Sequence, residues 1–157
     1  MRTLRVYVDT CVFGGAFDKE FQVATQRFFE EVRSGGFHLI ISALVQDELS
    51  EAPAQVNNLF IEMLKWTTVA PISSDALDLQ QAYMDEGILA PKWADDALHV
   101  AMATVADCSL IVSWNFKHIV NFEKIPQYNA INAKCGYRPL AIYSPFEVLH
   151  YDNEETF

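Results

Sequence analysis

The sequence predicts an α/β protein, a three-layer α/β/α sandwich in which helices cover both faces of a central parallel sheet. Short apolar runs of strand length alternate with longer segments of helical periodicity, as successive βαβ units require. The apolar runs are continuous rather than alternating, which is typical of strands buried on both faces. No linker, repeat or low-complexity segment divides the chain, so residues 1–157 are expected to form a single domain.

Most expected elements begin or end at residues with known capping or turn preferences. Ser42 is placed to cap a helix starting at Ala43, Pro53 ends that helix, and Pro91 suits a first helical turn. A brief strand is consistent with residues 67–72. The other expected strands are residues 4–8, 37–42, 109–113 and 140–144, and the expected helices lie within residues 20–36, 43–52, 54–66, 74–86, 91–105 and 125–135.

The composition excludes several classes of protein. Hydrophobic residues make up 51% of the chain and charged residues 20%, which is a globular balance. The longest apolar stretch is interrupted by Asp107 and Ser109, so no membrane span is expected, and the N-terminus lacks the pattern of a signal peptide. Three cysteines without metal-site spacing indicate a reducing compartment. We therefore expect a cytoplasmic protein with no membrane partner.

The net charge of −10 argues against a broad basic surface for nucleic acid. Three interpretations stay open. The acidity aids solubility, or it attracts a basic protein partner, or bound cations supply the missing positive charge at a site.

Two acidic positions follow expected strands. Functional groups in a parallel sheet gather beyond the carboxyl ends of the strands, here just after Val8, Ile41 and Val112. Asp9 follows the first strand directly, where a carboxylate either caps a turn or is compensated by a cation or by hydrogen-bond donors. In the helix after the second strand, Glu48 falls within the apolar arc and Asp47 outside it. Glu48 is predicted to face the interior, with an ion pair to an arginine as the alternative.

Residues 94–105 (ADDALHVAMATV) place two adjacent aspartates on a helix that is apolar nearly all round, so the helix is expected to be buried. The helix dipole stabilises an exposed acid in the first turn by about 0.3–1 kcal/mol. Burying an uncompensated carboxylate costs several times more. An acid here therefore indicates a compensating ligand, but periodicity does not decide between Asp95 and Asp96.

The segment SWNFKHIVN after the strand at residues 109–113 adds further candidates. Ser113 and Asn115 offer oxygen ligands, although Asn115 also suits a turn, and His118 by itself is predicted to be a surface histidine. Together with Asp9, Glu48 and one of the paired aspartates, these residues place hard oxygen ligands near one edge of the sheet. Oxygen ligation suits Mg²⁺ or Mn²⁺, whereas zinc would favour histidine and cysteine.

These residues resemble those of the PIN-domain family, the metal-dependent ribonucleases that include the VapC-like toxins of bacterial toxin–antitoxin pairs. YVDTCVF is similar to the first strand of the family and its Asp-Ser/Thr ending, DALHVAMA is similar to its DALHxAxA helix, and LIVSWNFKHI to its fourth segment. The resemblance covers nearly the whole chain. It assigns the catalytic and metal-ligating acids to Asp9, Glu48 and Asp96, with Asn115 at the fourth corner, where many relatives have Asp.

The resemblance implies an endoribonuclease that uses Mg²⁺ or Mn²⁺, acts on RNA, binds a basic antitoxin and forms a homodimer. Asp9 and Asp96 would be the main ligands, and Glu48 would bind a second ion through water or orient the attacking water as a general base. Thr10 and Ser113 would hold carboxylates or phosphate. The neutral Asn115 favours one ion over two. Further candidates are Lys92, Lys117 and His118 for phosphate contacts, and Trp93 or Trp114 for base stacking or for core packing.

Two other functions stay open. The pair Gly14-Gly15 after the first strand supports a nucleotide-binding or phosphate-binding module, although no phosphate-binding glycine motif is present. The neutral Asn115 supports a catalytically inactive PIN scaffold. A thiol enzyme at Cys11 is a weaker interpretation, because no histidine is near in sequence, and Cys11 is expected to be a small buried side chain.

Overall fold

The sheet is parallel throughout and places the first strand at its centre. The computed structural model describes residues 3–154 and the side chains of residues 3–149. Its strand order is β3-β2-β1-β4-β5, where the strands are β1 (Leu4–Val8), β2 (Phe37–Ser42), β3 (Thr67–Ala70), β4 (Leu110–Val112) and β5 (Ala141–Tyr143). Val6 of β1 is in register with Leu39 of β2 on one side and with Leu110 of β4 on the other.

Helices connect the strands and complete the α/β sandwich predicted from the sequence. The α-helices are α1 (Thr10–Gly15), α2 (Gln22–Arg33), α3 (Ala43–Ser50), α4 (Ala54–Met63), α5 (Ser74–Asp85), α6 (Ala94–Val105), α7 (Lys124–Lys134) and α8 (Pro145–Glu154). Two short 3₁₀ helices, Leu64–Trp66 and Pro91–Trp93, lie before β3 and α6. The brief strand expected within residues 67–72 is present as β3, and Ser42 caps α3 by accepting a hydrogen bond from the backbone N–H of Val45.

The core lies where β1, β2 and β4 meet α6. Strand residues Val6, Ile41 and Val112 are fully buried. Residues 97–104 of α6 are all buried, which confirms that this apolar helix is enclosed on most sides. Any polar group near the first turn of α6 therefore lies at the boundary between the core and solvent.

Two helices were not expected from the sequence. Residues 10–15 (TCVFGG) include β-branched and glycine residues, which are weak helix formers, and α1 is stabilised instead by the burial of Val12 and Phe13. Helix α8 begins with one half of a capping box, in which the Ser144 backbone N–H donates to Glu147 Oε1 at 3.0 Å, and the Ser144 hydroxyl donates to the same oxygen at 2.8 Å.

The order in which strands join the sheet changes side between β3 and β4. Strands β1, β2 and β3 are added outward on one side, and the chain then returns to place β4 beside β1. The carboxyl ends of β1 and β4 thus flank a topological switch point, where open parallel sheets form their ligand crevices.

Within residues 3–154, no helix combines the length and the apolar character that a membrane crossing requires.

Candidate active site

Asp9 is buried at the carboxyl end of β1, with a relative exposure of 4%. Each of its carboxylate oxygens accepts one hydrogen bond, from Cys11 Sγ at 2.9 Å and from the Ser113 hydroxyl at 2.7 Å. Burial raises the pKa of Asp9, the charge of His99 opposes that rise, and the charge of Asp96 adds to it. The ionised form of Asp9 is therefore disfavoured by its surroundings and only partly compensated by neutral donors.

His99 of α6 lies among the three predicted acids. Its Nε2 is 3.2 Å from Glu48 Oε1, and its Nδ1 is 2.8 Å from the Tyr7 hydroxyl. Burial alone would lower the pKa of His99, but the hydrogen bond to Glu48 and the charges of Asp9, Glu48 and Asp96 outweigh it, so the pKa is raised. His99 is a site residue that was not predicted from the sequence, although a histidine three positions after Asp96 on an apolar helix was a visible signal.

A chain of hydrogen bonds holds His99 from both sides. The Tyr7 hydroxyl donates to Ser42 Oγ at 2.9 Å, so its oxygen can accept a hydrogen bond from His99 Nδ1. His99 Nε2 then donates to Glu48. Both ring nitrogens act as donors in this arrangement, which is the imidazolium form that the raised pKa favours.

Glu48 lies at the rim of the site rather than inside it. Its Oε1 accepts hydrogen bonds from His99 and, at 2.7 Å, from the Thr10 hydroxyl. The hydrogen bond from His99 lowers the pKa of Glu48. The Glu48 side chain is 38% exposed, so the prediction that it faces the interior holds only for its bound oxygen, and its ion-pair partner is a histidine rather than an arginine. Asp47 is exposed, as expected.

The paired aspartates of α6 have different surroundings. Asp95 is exposed, whereas the Asp96 side chain is 24% exposed and its Oδ2 lies 2.7 Å from His118 Nδ1. The expectation that His118 lies at the surface is wrong. His118 is buried because its ring packs on Trp93, with ring centroids 4.6 Å apart, and its backbone carbonyl accepts a hydrogen bond from Tyr128.

The segment after β4 is a hydrogen-bonded turn. Asn115 Oδ1 accepts a hydrogen bond from the backbone N–H of His118 at 2.9 Å, so the amide closes the turn. Its role as a fourth metal ligand stays a prediction. The expectation that Thr10 and Ser113 hold carboxylates is confirmed, because they donate to Glu48 and Asp9 respectively.

Several solved structures share this arrangement of strands and helices. No protein-family model and no curated protein matches the sequence. Similar structures include VapBC2 from Rickettsia felis bound to a DNA fragment from its promoter, with 14% identity, a TM-score of 0.56, and coverage of 90% of this chain and 98% of that one. FitAcB from Neisseria gonorrhoeae has 11% identity and a TM-score of 0.58 at the same coverages. FitAB bound to an IR36 DNA fragment has 11% identity, a TM-score of 0.55 and coverages of 89% and 94%.

The chain has a PIN-like fold. The resemblance expected from the sequence motifs is confirmed at this level, and the coverage confirms that it extends over nearly the whole chain.

The acidic residues of this PIN-like chain suit a hard divalent cation in their chemistry. Each oxygen of Asp9 accepts only one hydrogen bond, and Oδ1 of Asp96 accepts none from the described residues, so both carboxylates retain lone pairs for a ligand. Asp9 is buried, and both its burial and the charge of Asp96 raise its pKa, so a cation bound there would stabilise its ionised form. Among the residues that the structure describes, however, no three His, Cys, Asp or Glu side chains converge as a ready-made metal cluster.

Gly14-Gly15 does not form a phosphate cradle in this PIN-like fold. A Cβ at Gly15 would lie 2.7 Å from Trp114 Nε1, so this glycine is required for packing against the indole. Trp114 is buried, and its Nε1 donates to Thr25 Oγ1 at 2.8 Å, which confirms the core-packing interpretation of this residue. The glycine pair therefore lends no support to a nucleotide-binding module.

Cys11 is exposed, so the expectation of a small buried side chain is wrong. Its sulfur nevertheless takes part in the site, because it donates to Asp9 and accepts a hydrogen bond from the backbone N–H of Trp114 at 3.3 Å. A small polar side chain two residues after Asp9 can return to the same carboxylate, and this was the signal that the sequence offered.

Proposed function

We propose that the protein is a metal-dependent endoribonuclease that hydrolyses phosphodiester bonds in RNA and acts as the toxin of a toxin–antitoxin pair. The observation that carries this proposal is one buried histidine, His99, that contacts Glu48 directly and lies within electrostatic range of Asp9 and Asp96. The charges of Asp9, Glu48 and Asp96 all act on His99 at the switch point of the sheet. A purely structural histidine needs one carboxylate partner, and three acids in electrostatic range favour a catalytic centre instead.

Asp9 and Asp96 are the residues that would hold a divalent ion, since their free lone pairs are hard oxygen donors. Mg²⁺ or Mn²⁺ bound there would polarise the scissile phosphate and make a water nucleophilic near neutral pH. The protein's contribution is orientation. Ser113 and Cys11 fix the carboxylate of Asp9, and His118 fixes that of Asp96, as outer partners of metal ligands commonly do.

Glu48 is the residue placed to orient water and accept a proton. Its bound Oε1 is fixed by Thr10 and His99, and its other oxygen accepts no hydrogen bond from the residues that the structure describes. The side chain is exposed enough to meet solvent and substrate. A carboxylate fixed at one oxygen and open at the other suits a general base.

The proposed partner is a basic antitoxin that covers the acidic edge, and the proposed assembly is a homodimer of the toxin. The net charge of −10 supports a basic partner, because complementary charge speeds and orients association. The solved structures of similar fold include VapBC2 bound to promoter DNA. Free thiols at Cys11, Cys108 and Cys135 are consistent with action in the reducing cytoplasm.

The test is cleavage of a single-stranded RNA pool by the purified chain with Mg²⁺, with Mn²⁺ and with EDTA. We expect cleavage only with a divalent ion, and a loss of about 100-fold or more for Asp96→Asn. The matched control is Asp95→Asn, which removes the same charge from an exposed neighbouring position on the same helix and is expected to stay active.

Glu48→Gln and Asp47→Asn form a second matched pair on α3, with loss of activity expected only for the first. Equal activity of Asp96→Asn and the wild type would overturn the proposal. A wild-type chain that cleaves no RNA with either ion would overturn it too, and would favour an inactive PIN scaffold.

A further inference from the structure

A small positive patch lies beside Asp96 on this strongly acidic chain. The 3₁₀ helix Pro91–Trp93 leads directly into α6, which carries Asp96 in its first turn. Lys92 Nζ lies 4.9 Å from the centre of the Trp93 ring, and Lys117 Nζ lies 5.6 Å from the same centre. Two ammonium groups from separate segments therefore share one indole.

Neither ammonium group is neutralised within the described part of the chain. The ion pairs formed there by lysine and arginine involve Arg33, Lys134 and Arg138, and do not include Lys92 or Lys117. Both side chains are exposed. An indole attracts an exposed cation only weakly, which orients the group without cancelling its charge. These two lysines thus present free positive charge at a fixed place.

The patch is connected to the acidic site by side-chain packing and a hydrogen bond. Trp93 packs on His118, and His118 binds Asp96. The backbone around Lys117 is fixed by the turn in which Asn115 Oδ1 accepts from His118 and the carbonyl of Asn115 accepts from Val120 at 2.8 Å. The positions of both lysines relative to the carboxylate of Asp96 are therefore set by packed and hydrogen-bonded residues.

We propose that Lys92 and Lys117, oriented by Trp93, form a phosphate-binding subsite that holds the RNA strand next to the cleavage position. The inference rests on the proposed ribonuclease function and names where the substrate backbone is held. A chain with a net charge of −10 repels RNA at long range, so a local pair of unneutralised cations beside the acids is needed to retain the strand. Lysine suits this role, because its compact ammonium group binds phosphate as a point charge.

The chain provides a matched control for this subsite. Lys65 Nζ also lies 4.9 Å from a neighbouring indole, that of Trp66, in the other 3₁₀ helix. That helix precedes β3 and therefore lies at the opposite edge of the sheet from the acids. Lys134 is the last residue of α7, and the chain then leads to the amino end of β5. Lys134 therefore also lies toward the edge of the sheet opposite the acids. A Lys65→Ala, Lys134→Ala double variant changes the net charge as much as Lys92→Ala, Lys117→Ala does.

The experiment measures the affinity of a short labelled oligouridylate in EDTA as a function of salt concentration. Each phosphate contact to a single strand adds about 0.7 to the slope of log K against log salt, so loss of two contacts reduces the slope by about 1.4. Between about 50 and 200 mM salt, the wild type should lose about sevenfold more affinity than the Lys92→Ala, Lys117→Ala variant. The control variant should keep the wild-type slope. In cleavage assays, the subsite variant should raise KM and leave kcat unchanged, as expected for binding shared by substrate and transition state.

The outcomes separate this inference from the proposed function. Equal salt slopes for the two double variants would overturn the subsite even if the wild type cleaves RNA. If the salt slope of the Lys92→Ala, Lys117→Ala variant falls as expected but the wild type does not cleave RNA, the result supports the subsite and counts against the ribonuclease. A wild type that does not bind the oligouridylate overturns the subsite. Displacement of the labelled oligouridylate by a lower concentration of polyglutamate than of unlabelled oligouridylate would overturn it too, and would indicate an acidic peptide as the occupant. Circular dichroism spectra equal to the wild type would show that both variants fold.

Discussion

A methyl group at Gly15 tests how rigidly Trp114 is held beside the acidic residues. The added Cβ would lie 2.7 Å from Trp114 Nε1 and 2.9 Å from Thr25 Oγ1, the two atoms of a 2.8 Å hydrogen bond. Trp114 has little room to move, because it stacks on Phe21 with ring centroids 4.2 Å apart and meets Phe146 edge-on at 5.1 Å. Either the hydrogen bond breaks or α1 shifts.

Gly15→Ala is therefore expected to reduce the free energy of unfolding by about 1–3 kcal/mol, the usual cost of overpacking a core. For a chain of this size that corresponds to a fall in Tm of roughly 2–12 °C. Gly14→Ala is the matched control, because nothing lies within 4 Å of its added Cβ on the same helix. It should be neutral or stabilising by up to about 1 kcal/mol through helix propensity.

The measurement is thermal and urea unfolding of both variants and the wild type in the same buffer. A Tm for Gly15→Ala equal to or above that of Gly14→Ala would refute the reasoning. It would mean that the indole of Trp114 can be displaced at no cost, and that the backbone donor of Trp114 to Cys11 Sγ does not fix that thiol beside Asp9.

Further predictions concern charge and capping. Because the pKa of His99 is raised on folding, its protonation stabilises the fold fully below pH 6.5, and this stabilisation is lost as the pH rises through the folded pKa. In EDTA, the free energy of unfolding of the wild type should decline above pH 6.5 by up to about 1.4 kcal/mol per pH unit, and that of His99→Gln should decline less steeply. Urea titrations at several pH values measure both declines, and equal declines for the two proteins would contradict the prediction. Burial raises the pKa of Asp9, so its ionised form destabilises the fold as the pH rises through that pKa. At neutral pH in EDTA, Asp9→Asn should therefore unfold at a higher urea concentration than the wild type, and a lower midpoint would count against the assigned burial. With Mg²⁺ or Mn²⁺ present, the same variant should lose about 100-fold or more of its RNA cleavage. Ser144→Ala removes the hydroxyl that donates to Glu147 Oε1 at the start of α8 and should lower Tm by roughly 2–4 °C, for a loss of about 1 kcal/mol, with no change in Tm as the refuting result.

The sheet was predictable because its strands carry their own signals. Continuous apolar runs such as residues 4–8 indicate burial on both faces, and the switch-point rule then places Asp9 and Ser113 at neighbouring strand ends. Helix α8 was also readable, since Ser144 and Glu147 have the spacing of a capping box. Helix α1 was not, because its residues favour other conformations and the helix depends on the burial of Val12 and Phe13 by distant elements.

The acids of the site were predicted from the sequence, but the histidines that contact them were not. Angular position along α3 put Glu48 toward the interior, but it does not show that His99, on a helix far along the chain, meets the carboxylate from the other side. The burial of His118 likewise depends on Trp93 and Tyr128, which are contributed by different segments. Such partners are set by tertiary packing, which the periodicity of one helix does not contain.

The central position of β1 has a consequence for synthesis on the ribosome. Asp9 emerges early, but its donor Ser113 and the neighbouring strand β4 emerge only after two thirds of the chain. Until β4 arrives, one edge of β1 has no partner, and the aspartate at its end lacks a hydrogen bond that holds it. A growing or truncated polypeptide that stops before Leu110 thus lacks the assembled crevice, so the acidic site forms only after β4 has been synthesised.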